Sequence, residues 1–133
     1  MMVCALAISG IGGMTLTVNA ANTEDKPFSF DNSNASGTSE WRDKNDTTKG
    51  YVYPQSGPKI FYTVQGKVGT NGSAASRSNV VAIPQGVQGS ITNTVREEGG
   101  TYARLKYQRI TTGYVTTKGV WSPDSTRNYT IFN

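Results

Sequence analysis

Apolar and polar residues alternate with a period of two along three segments of the chain. The segments are Lys59–Val68, Val87–Val95 and Thr101–Ile110. Successive side chains of a β-strand point to opposite faces, so this alternation predicts three strands with one buried face each. Shorter apolar runs predict further strands at Gly50–Tyr53, Val80–Ile83, Gly113–Trp121 and Asn128–Phe132.

A turn separates the second alternating segment from the third. Glu97–Gly100 ends in two glycines, which adopt positive φ at little steric cost. This pattern predicts a hairpin that joins Val87–Val95 to Thr101–Ile110. About six to seven short strands at this spacing predict an all-β fold, either a single antiparallel β-sandwich or a partly open barrel.

Composition favours the same fold class. Residues 21–133 contain one leucine, Leu105, against nine valines, five isoleucines and seven tyrosines. β-branched and aromatic side chains lose conformational freedom in helices and pack well on sheets. The chain has no histidine and a single cysteine, Cys4. Histidine-dependent catalysis, an internal disulfide and a zinc site built from cysteine or histidine are therefore excluded.

The first twenty residues have the pattern of a secretory signal peptide. Met1–Thr23 carries no charge, begins with an apolar run, and has small residues before a cleavage point after Ala20. Its glycines and hydroxyl residues argue against a membrane-spanning helix, which needs ~20 apolar residues. We therefore expect a secreted, extracellular protein. Its parts are a signal peptide at 1–20, an acidic polar N-terminal arm at 21–50 and a β-sandwich domain at 51–133.

Two segments, Ala21–Phe30 and Gly119–Ser125, carry a resemblance to known proteins. Together they resemble a family of small secreted proteins from Gram-positive bacteria that is catalogued as a domain of unknown function. The resemblance extends through most of residues 21–133 and is most distinctive in the first ten of them. It implies a signal peptide, a compact β-rich domain and export to the cell envelope or medium. It implies no activity and no site residue.

Charge is divided unevenly along the chain. Residues 24–46 carry six acidic and three basic side chains, whereas residues 47–133 carry ten basic and three acidic ones. Tyr102, Arg104 and Lys106 share the outward face of one predicted strand. A basic, partly aromatic sheet face is typical of a surface that binds anionic polymers or phospholipid headgroups. The competing interpretation is a solvated strand face whose charges discourage edge-to-edge association.

Trp41 is the only large apolar residue in the long polar segment 31–50. A tryptophan in such surroundings is either a contact residue or an anchor for the segment that carries it. In the second interpretation the acidic segment folds over the basic face, and the charge asymmetry is structural or autoinhibitory. The candidate binding residues are Tyr102, Arg104, Lys106, Arg109 and Trp41.

No arrangement of residues predicts catalysis, a metal site or a cofactor. Glu97 and Glu98 are adjacent and diverge, whereas a glycosidase needs two facing carboxylates ~5–10 Å apart. Residues 31–37 and 43–46 resemble calcium loops but lack the glycine at the sixth position and the glutamate at the twelfth. A carbohydrate-active enzyme that uses Glu97 or Glu98, and weak calcium binding, stay as minor alternatives.

These features together predict a secreted, non-enzymatic binding or interaction module at the Gram-positive cell envelope. We expect its partner to be an anionic cell-wall polymer, a membrane surface or another protein, and no specific nucleic acid. The main alternative is a secreted antagonistic protein that resembles a bacteriocin. Small size, export, basicity and the absence of cysteine after residue 20 suggest that alternative.

Overall fold

The structure, a computed structural model, describes residues 20–127 and 129–133. The predicted signal peptide at 1–20 lies outside these ranges except for Ala20. Eleven β-strands and no helix occur within the described ranges. The strands are β1 (Lys26–Asp31), β2 (Ser36–Thr38), β3 (Arg42–Asp43), β4 (Gly50–Ser56), β5 (Ile60–Lys67), β6 (Ala75–Ser76), β7 (Val81–Ile83), β8 (Gly89–Ile91), β9 (Tyr102–Arg109), β10 (Thr116–Ser122) and β11 (Thr130–Phe132).

The strands form two sheets. One has five strands in the order β1-β10-β4-β8-β11. The other has six strands, in which β2, β9, β5 and β6 follow one another while β3 pairs with β9 and β7 with β5. Every pair is antiparallel except β11 with β8. The predicted all-β sandwich is confirmed, and the described strands form no closed barrel.

The core lies between the sheets and follows the alternation of the sequence. The inward residues of β5 and β9 are Ile60, Tyr62, Val64, Ala103, Leu105 and Tyr107, all almost fully buried. From the facing sheet, the ring of Phe28 packs edge-on against Tyr62, with 5.8 Å between ring centroids, and stacks with Tyr107 at 5.5 Å. Such aromatic pairs stabilise a core beyond the area that they bury.

The predicted hairpin around residues 97–100 is wrong in its pairing. The turn itself forms, with Gly99 at a φ of 84° and a hydrogen bond of 2.7 Å from the Gly100 N–H to the Val95 carbonyl. Only Gly89–Ile91 of the preceding segment is a strand, and it pairs with β4 and β11, whereas β9 pairs with β5 over eight residues. The chain therefore crosses from one sheet to the other at this turn.

Residues 21–50, which the sequence sets apart as an acidic arm, contribute strands to both sheets. β1 pairs with β10 in the five-stranded sheet, and β2 and β3 pair with β9 in the other. Phe28 and Phe30 point from β1 into the core. Additional strands such as β2, β3 and β6 have two or three residues each, which is why there are more strands than the alternation predicts.

Within the described ranges, no helical segment has the length and hydropathy needed to cross a bilayer.

Candidate binding surface

The central strand of the six-stranded sheet displays the predicted basic residues. Tyr102, Arg104 and Lys106 alternate with buried residues along β9 and are half-buried. Across the ladder, Lys67 lies opposite Tyr102 and Gln65 lies opposite Arg104. Directly opposed residues of an antiparallel pair point to the same side of the sheet. These side chains therefore share the surface that faces away from the core, which we call the outer face.

Trp41 lies on the outer face against two of its cations. The Arg104 guanidinium carbon is 4.3 Å from the centroid of the indole, and the Lys67 ammonium nitrogen is 4.6 Å from it. The same ammonium is 5.5 Å from the ring centroid of Tyr102. The Arg104 Nε–H also donates a 2.8 Å hydrogen bond to the Gln65 Oε1. We call Trp41, Lys67, Tyr102 and Arg104 the cation–aromatic cluster.

The position of Trp41 follows from the pairing of β3. Arg42 and Asp43 pair with Ala103 and Tyr102, which brings the preceding residue to the side of β9. Arg42 points inward instead, and its guanidinium donates a 2.7 Å hydrogen bond to the Trp121 carbonyl. Burial lowers the pKa of the Arg42 guanidinium, against the effect of nearby carboxylates such as Glu24. The buried Arg42 therefore fixes the segment that presents Trp41.

The cations of the outer face are not neutralised by carboxylates. Two ion pairs occur in residues 20–127 and 129–133, and neither involves Lys67, Arg104 or Lys106. The acidic segment does reach this face, because Trp41 packs on the cations and Asp43 lies across from Tyr102. Trp41 thus packs the acidic segment against the outer face, which is the arrangement that the anchor interpretation describes. The positive charges keep their capacity to attract an anion.

Arg109 does not join the other candidates. It lies five positions after Arg104 along the strand, an odd offset, so it has the inward parity of Leu105. Its guanidinium donates hydrogen bonds to the carbonyls of Ser33 (3.0 Å) and Asn32 (3.4 Å). Arg109 therefore holds the loop between β1 and β2, whereas Lys106 lies on the outer face between Thr38 and Thr63.

Lys67 belongs to the cluster but is missing from the predicted residues. It lies in the alternating segment Lys59–Val68 and shares its parity with the outward Gln65. The sequence therefore predicts that Lys67 points outward. It does not predict which strand lies beside β5, because the predicted hairpin assigned β9 to a different neighbour. Only the β5–β9 pairing brings Lys67 beside Tyr102.

A groove adjoins the cluster at the edge of the sandwich, between β1 and the segment that carries β2 and β3. Its volume is about 300 Å³. Trp41 and Tyr107 form part of its wall, and Ser29, Thr38 and Glu40 supply polar groups. The outer face therefore continues into a concave surface that has both aromatic and hydrogen-bonding groups.

The minor catalytic and calcium alternatives gain no geometric support. Glu97 and Glu98 lie exposed in the turn before β9. Among the residues that the structure describes, no group of three or more Asp, Glu, Cys or His side chains is arranged to hold a metal ion. Asp31, in one of the calcium-like segments, instead accepts a 2.9 Å hydrogen bond from the Ser33 N–H, which lowers the pKa of its carboxyl.

The fold and the surface define a small two-sheet β-sandwich protein with a half-buried cation–aromatic cluster on one outer face. The chain belongs to the family described as "Protein of unknown function (DUF2712)", whose model matches residues 16–125. The matched range contains all four residues of the cluster. Neither the curated proteins nor the solved structures give a match.

Proposed function

We propose that this chain is exported and acts as a non-enzymatic binding module at the Gram-positive cell envelope, where its outer face binds an anionic polymer. The signal-peptide pattern of residues 1–20 supports export. The resemblance of Ala21–Phe30 and Gly119–Ser125 to secreted Gram-positive proteins supports the envelope as its location. The absence of cysteine after residue 20 suits an oxidising environment.

The observation that carries the proposal is the placement of Lys67 and Arg104 over the rings of Trp41 and Tyr102. Stacking on an aromatic ring limits the motion of a long cationic side chain, so less conformational entropy is lost when an anion binds. Arg104 and Lys106 are two residues apart on one strand, which spaces their Cα atoms by about 7 Å. Such a row of cations suits a polymer with repeated anionic groups.

Retention on purified Gram-positive cell wall tests this proposal. We expect the full chain to be retained at low salt and released as the salt concentration rises, because screening weakens interactions between exposed charges. The double variant Arg104→Glu/Lys106→Glu should lose about tenfold or more in affinity, which corresponds to about 1.4 kcal/mol or more, because it replaces two cations of the outer face by two anions. Retention of that variant at the wild-type level would refute the proposed face.

A matched variant controls for net charge. Lys59→Glu/Lys118→Glu makes the same change in charge at exposed lysines, and Lys118 lies on the five-stranded sheet. We expect it to keep most of the wild-type retention. Walls from which phosphate polymers have been extracted should retain little protein of any variant. Undiminished retention on extracted walls would indicate that the partner is peptidoglycan or a wall protein instead.

One observation favours the alternative function, a secreted antagonistic protein. The loop between β9 and β10 exposes Ile110, Tyr114 and Val115, and Tyr114 is 90% accessible to solvent. Tyrosine and aliphatic side chains on a basic protein are suited to the interface of an anionic membrane. Dye release from anionic vesicles by the wild type, and its loss in Tyr114→Ser/Val115→Ser, would support this function over wall binding.

A further inference from the structure

A buried ion pair joins two distant parts of the chain. The Lys44 Nζ lies 2.6 Å from the Asp124 Oδ1, and both side chains have no exposed surface. Lys44 follows β3 of the six-stranded sheet, and Asp124 follows β10 of the five-stranded sheet. The pair therefore connects the two sheets across 80 positions of the sequence.

The carboxyl group of Asp124 is held by backbone amides. Its Oδ2 accepts hydrogen bonds from the N–H groups of Asn22 (2.7 Å) and Asn45 (2.9 Å). Two N–H donors on one oxygen withdraw electron density from the carboxyl carbon and stabilise negative charge that develops on that oxygen. The Lys44 Nζ also donates a 2.6 Å hydrogen bond to the Thr48 carbonyl, which fixes the amine beside Asp124.

A second carboxyl group, that of Asp46, lies beside the pair. It accepts hydrogen bonds from the Thr48 N–H (2.9 Å) and from the Thr48 hydroxyl (2.5 Å), and the carbonyl of the same threonine accepts the hydrogen bond from the Lys44 Nζ. Burial raises the pKa of Asp46, but the hydrogen bonds that it accepts from Thr48 and the charge of Lys44 outweigh this effect, so the pKa is lowered. The lowered pKa keeps Asp46 ionised, so its carboxylate can accept a proton from a neighbouring group.

We propose that Lys44 and Asp124 form an intramolecular isopeptide bond, and that Asp46 transfers the proton in this reaction. The site is a modification site in which the chain reacts with itself. The inference is independent of the envelope function proposed above, because none of these residues belongs to the cation–aromatic cluster.

The reaction needs no cofactor or oxidant. A proton first moves from the Lys44 ammonium to the Asp124 carboxylate, which leaves Lys44 as a neutral amine that can act as a nucleophile. The amine then attacks the Asp124 Cγ, a Nζ–Cγ bond forms, and Asp46 accepts a proton from the nitrogen. Asp46 returns that proton to the departing hydroxyl, the Cγ–O bond breaks, and one water molecule leaves as the amide forms.

The geometry is close to that of attack. A carbon–oxygen bond of about 1.2 Å separates Oδ1 from Cγ, so Nζ lies within about 3.8 Å of Cγ. Reacting atoms in well-oriented intramolecular reactions lie about 3–3.5 Å apart. A shift of a few tenths of an ångström brings the amine within this distance, and a rotation that turns the face of the carboxyl group toward Nζ aligns it for attack, after which N–H donors on Oδ2 stabilise the tetrahedral intermediate.

The intact mass of the purified full chain under denaturing conditions tests the bond. We expect a mass lower than that of the polypeptide by one water molecule, and a branched proteolytic peptide that links Lys44 to Asp124. The branched peptide distinguishes this product from succinimide formation at an aspartate, which also releases water. A chain with the full polypeptide mass and no branched peptide would overturn the proposal.

Two variants test the assigned roles. Lys44→Arg keeps the positive charge and should show the full polypeptide mass, whereas Lys59→Arg, at an exposed lysine, should still lose one water molecule. Asp46→Asn keeps the ion pair and should remain mostly unlinked, whereas Asp43→Asn, the same change at an exposed aspartate, should link like the wild type. Complete water loss in Asp46→Asn would overturn the role of Asp46.

Discussion

Tyr62 and Tyr107 place two phenol groups inside the apolar core. Both rings are almost fully buried, and burial raises the pKa of each well above the ordinary value of 10.0. The Tyr62 hydroxyl has no hydrogen-bond partner among the described residues, whereas the Ser39 side chain partly offsets the rise in the pKa of the Tyr107 phenol. An unpaired buried hydroxyl costs about 1–3 kcal/mol, so the hydroxyl of Tyr62 offsets part of the stabilisation that its buried ring provides.

The two tyrosines predict a loss of stability at alkaline pH. Above pH 10 the unfolded chain releases phenol protons that the folded protein retains, so the folded form binds more protons. The free energy of unfolding then falls as the pH rises, by up to about 2.7 kcal/mol per pH unit for two residues. Below pH 10 this dependence is absent. Denaturant unfolding between pH 7 and 11 measures it.

The variant Tyr62→Phe separates the cost of the unpaired hydroxyl from the loss of stability at alkaline pH. We expect it to raise the free energy of unfolding at pH 7 by about 1 kcal/mol, because it removes the unpaired hydroxyl, and to halve the alkaline slope. Tyr114→Phe, at a tyrosine that is 90% exposed, should change neither quantity. An unchanged slope in Tyr62→Phe would mean that the ring ionises freely in the folded protein.

Trp41 predicts a spectroscopic response to ligand. Trp121 is only 2% exposed and lies in the core, whereas Trp41 is half-buried under two cations. An anion that binds to Lys67 and Arg104 where they stack on the ring changes the electrostatic surroundings of Trp41 and leaves those of Trp121 unchanged. We expect polyphosphate to alter the tryptophan emission of the wild type but not of Trp41→Phe. A response that persists in Trp41→Phe would place the anion elsewhere.

Whether the sequence could predict a residue of the outer face depends on its position in the two-residue alternation of its strand. Alternation along one strand was enough to place Tyr102, Arg104 and Lys106 on the outer face. The same alternation places Arg109 on the opposite side of the strand. Its closeness in sequence to Arg104 and Lys106 was therefore a poor reason to include it among the binding residues. Trp41 was singled out by its polar surroundings, but its contacts depend on the pairing of β3, a strand of two residues that carries no periodic pattern.

Among the strands, β10 and β4 approach each other unusually closely at Gly119. The register between them shifts there, and a Cβ added to Gly119 would lie 2.1 Å from the Tyr53 carbonyl oxygen and 2.8 Å from an edge atom of Phe28. A backbone oxygen in a paired strand cannot move aside. Only glycine therefore allows this pairing.

This close approach predicts that Gly119→Ala lowers the free energy of unfolding by about 1–3 kcal/mol or more, the usual range for overpacking. Gly113→Ala provides the control, because no atom lies within 4 Å of the added Cβ and the backbone there is not left-handed. We expect the control to change stability by less than about 0.5 kcal/mol. Equal stability of the two variants in thermal or denaturant unfolding would contradict the prediction.

The strands differ in how far the sequence reveals them. β5 and β9 are eight residues long and their buried apolar residues recur at every second position, so hydrophobic periodicity predicted these two strands well. The turn at residues 97–100 was also predicted, but a turn does not specify whether the chain stays in one sheet. The β5–β9 ladder pairs residues about forty positions apart, and local patterns cannot encode such a partnership.

For the molecule as a whole, the buried Lys44–Asp124 pair is the feature furthest from sequence prediction. Both residues lie in polar segments, where charged side chains are normally solvated. Nothing local distinguishes Lys44 from the exposed Lys59, because burial arises only when both sheets and the segment around Asn22 come together. The segments that follow β3 and β10 are thus joined by two groups that the sequence presents as ordinary surface charges.

A covalent bond at this pair predicts a large difference in stability between two nearly identical chains. Closing a loop of about 80 residues removes unfolded-state entropy worth about 4–5 kcal/mol in the chain-entropy model. Comparing the linked wild type with Asp46→Asn isolates this effect, because the variant keeps the ion pair and avoids the cost of an unpaired buried charge.

We expect the wild type to have the higher denaturant midpoint, and also the smaller denaturant dependence of the free energy of unfolding, because its linked unfolded state exposes less surface. Asp43→Asn should match the wild type in both quantities. Coincident unfolding curves for the wild type and Asp46→Asn would mean that the two sheets are held only by noncovalent contacts. A midpoint difference with equal denaturant dependence would assign the effect to a lost hydrogen bond of Asp46 rather than to a closed loop.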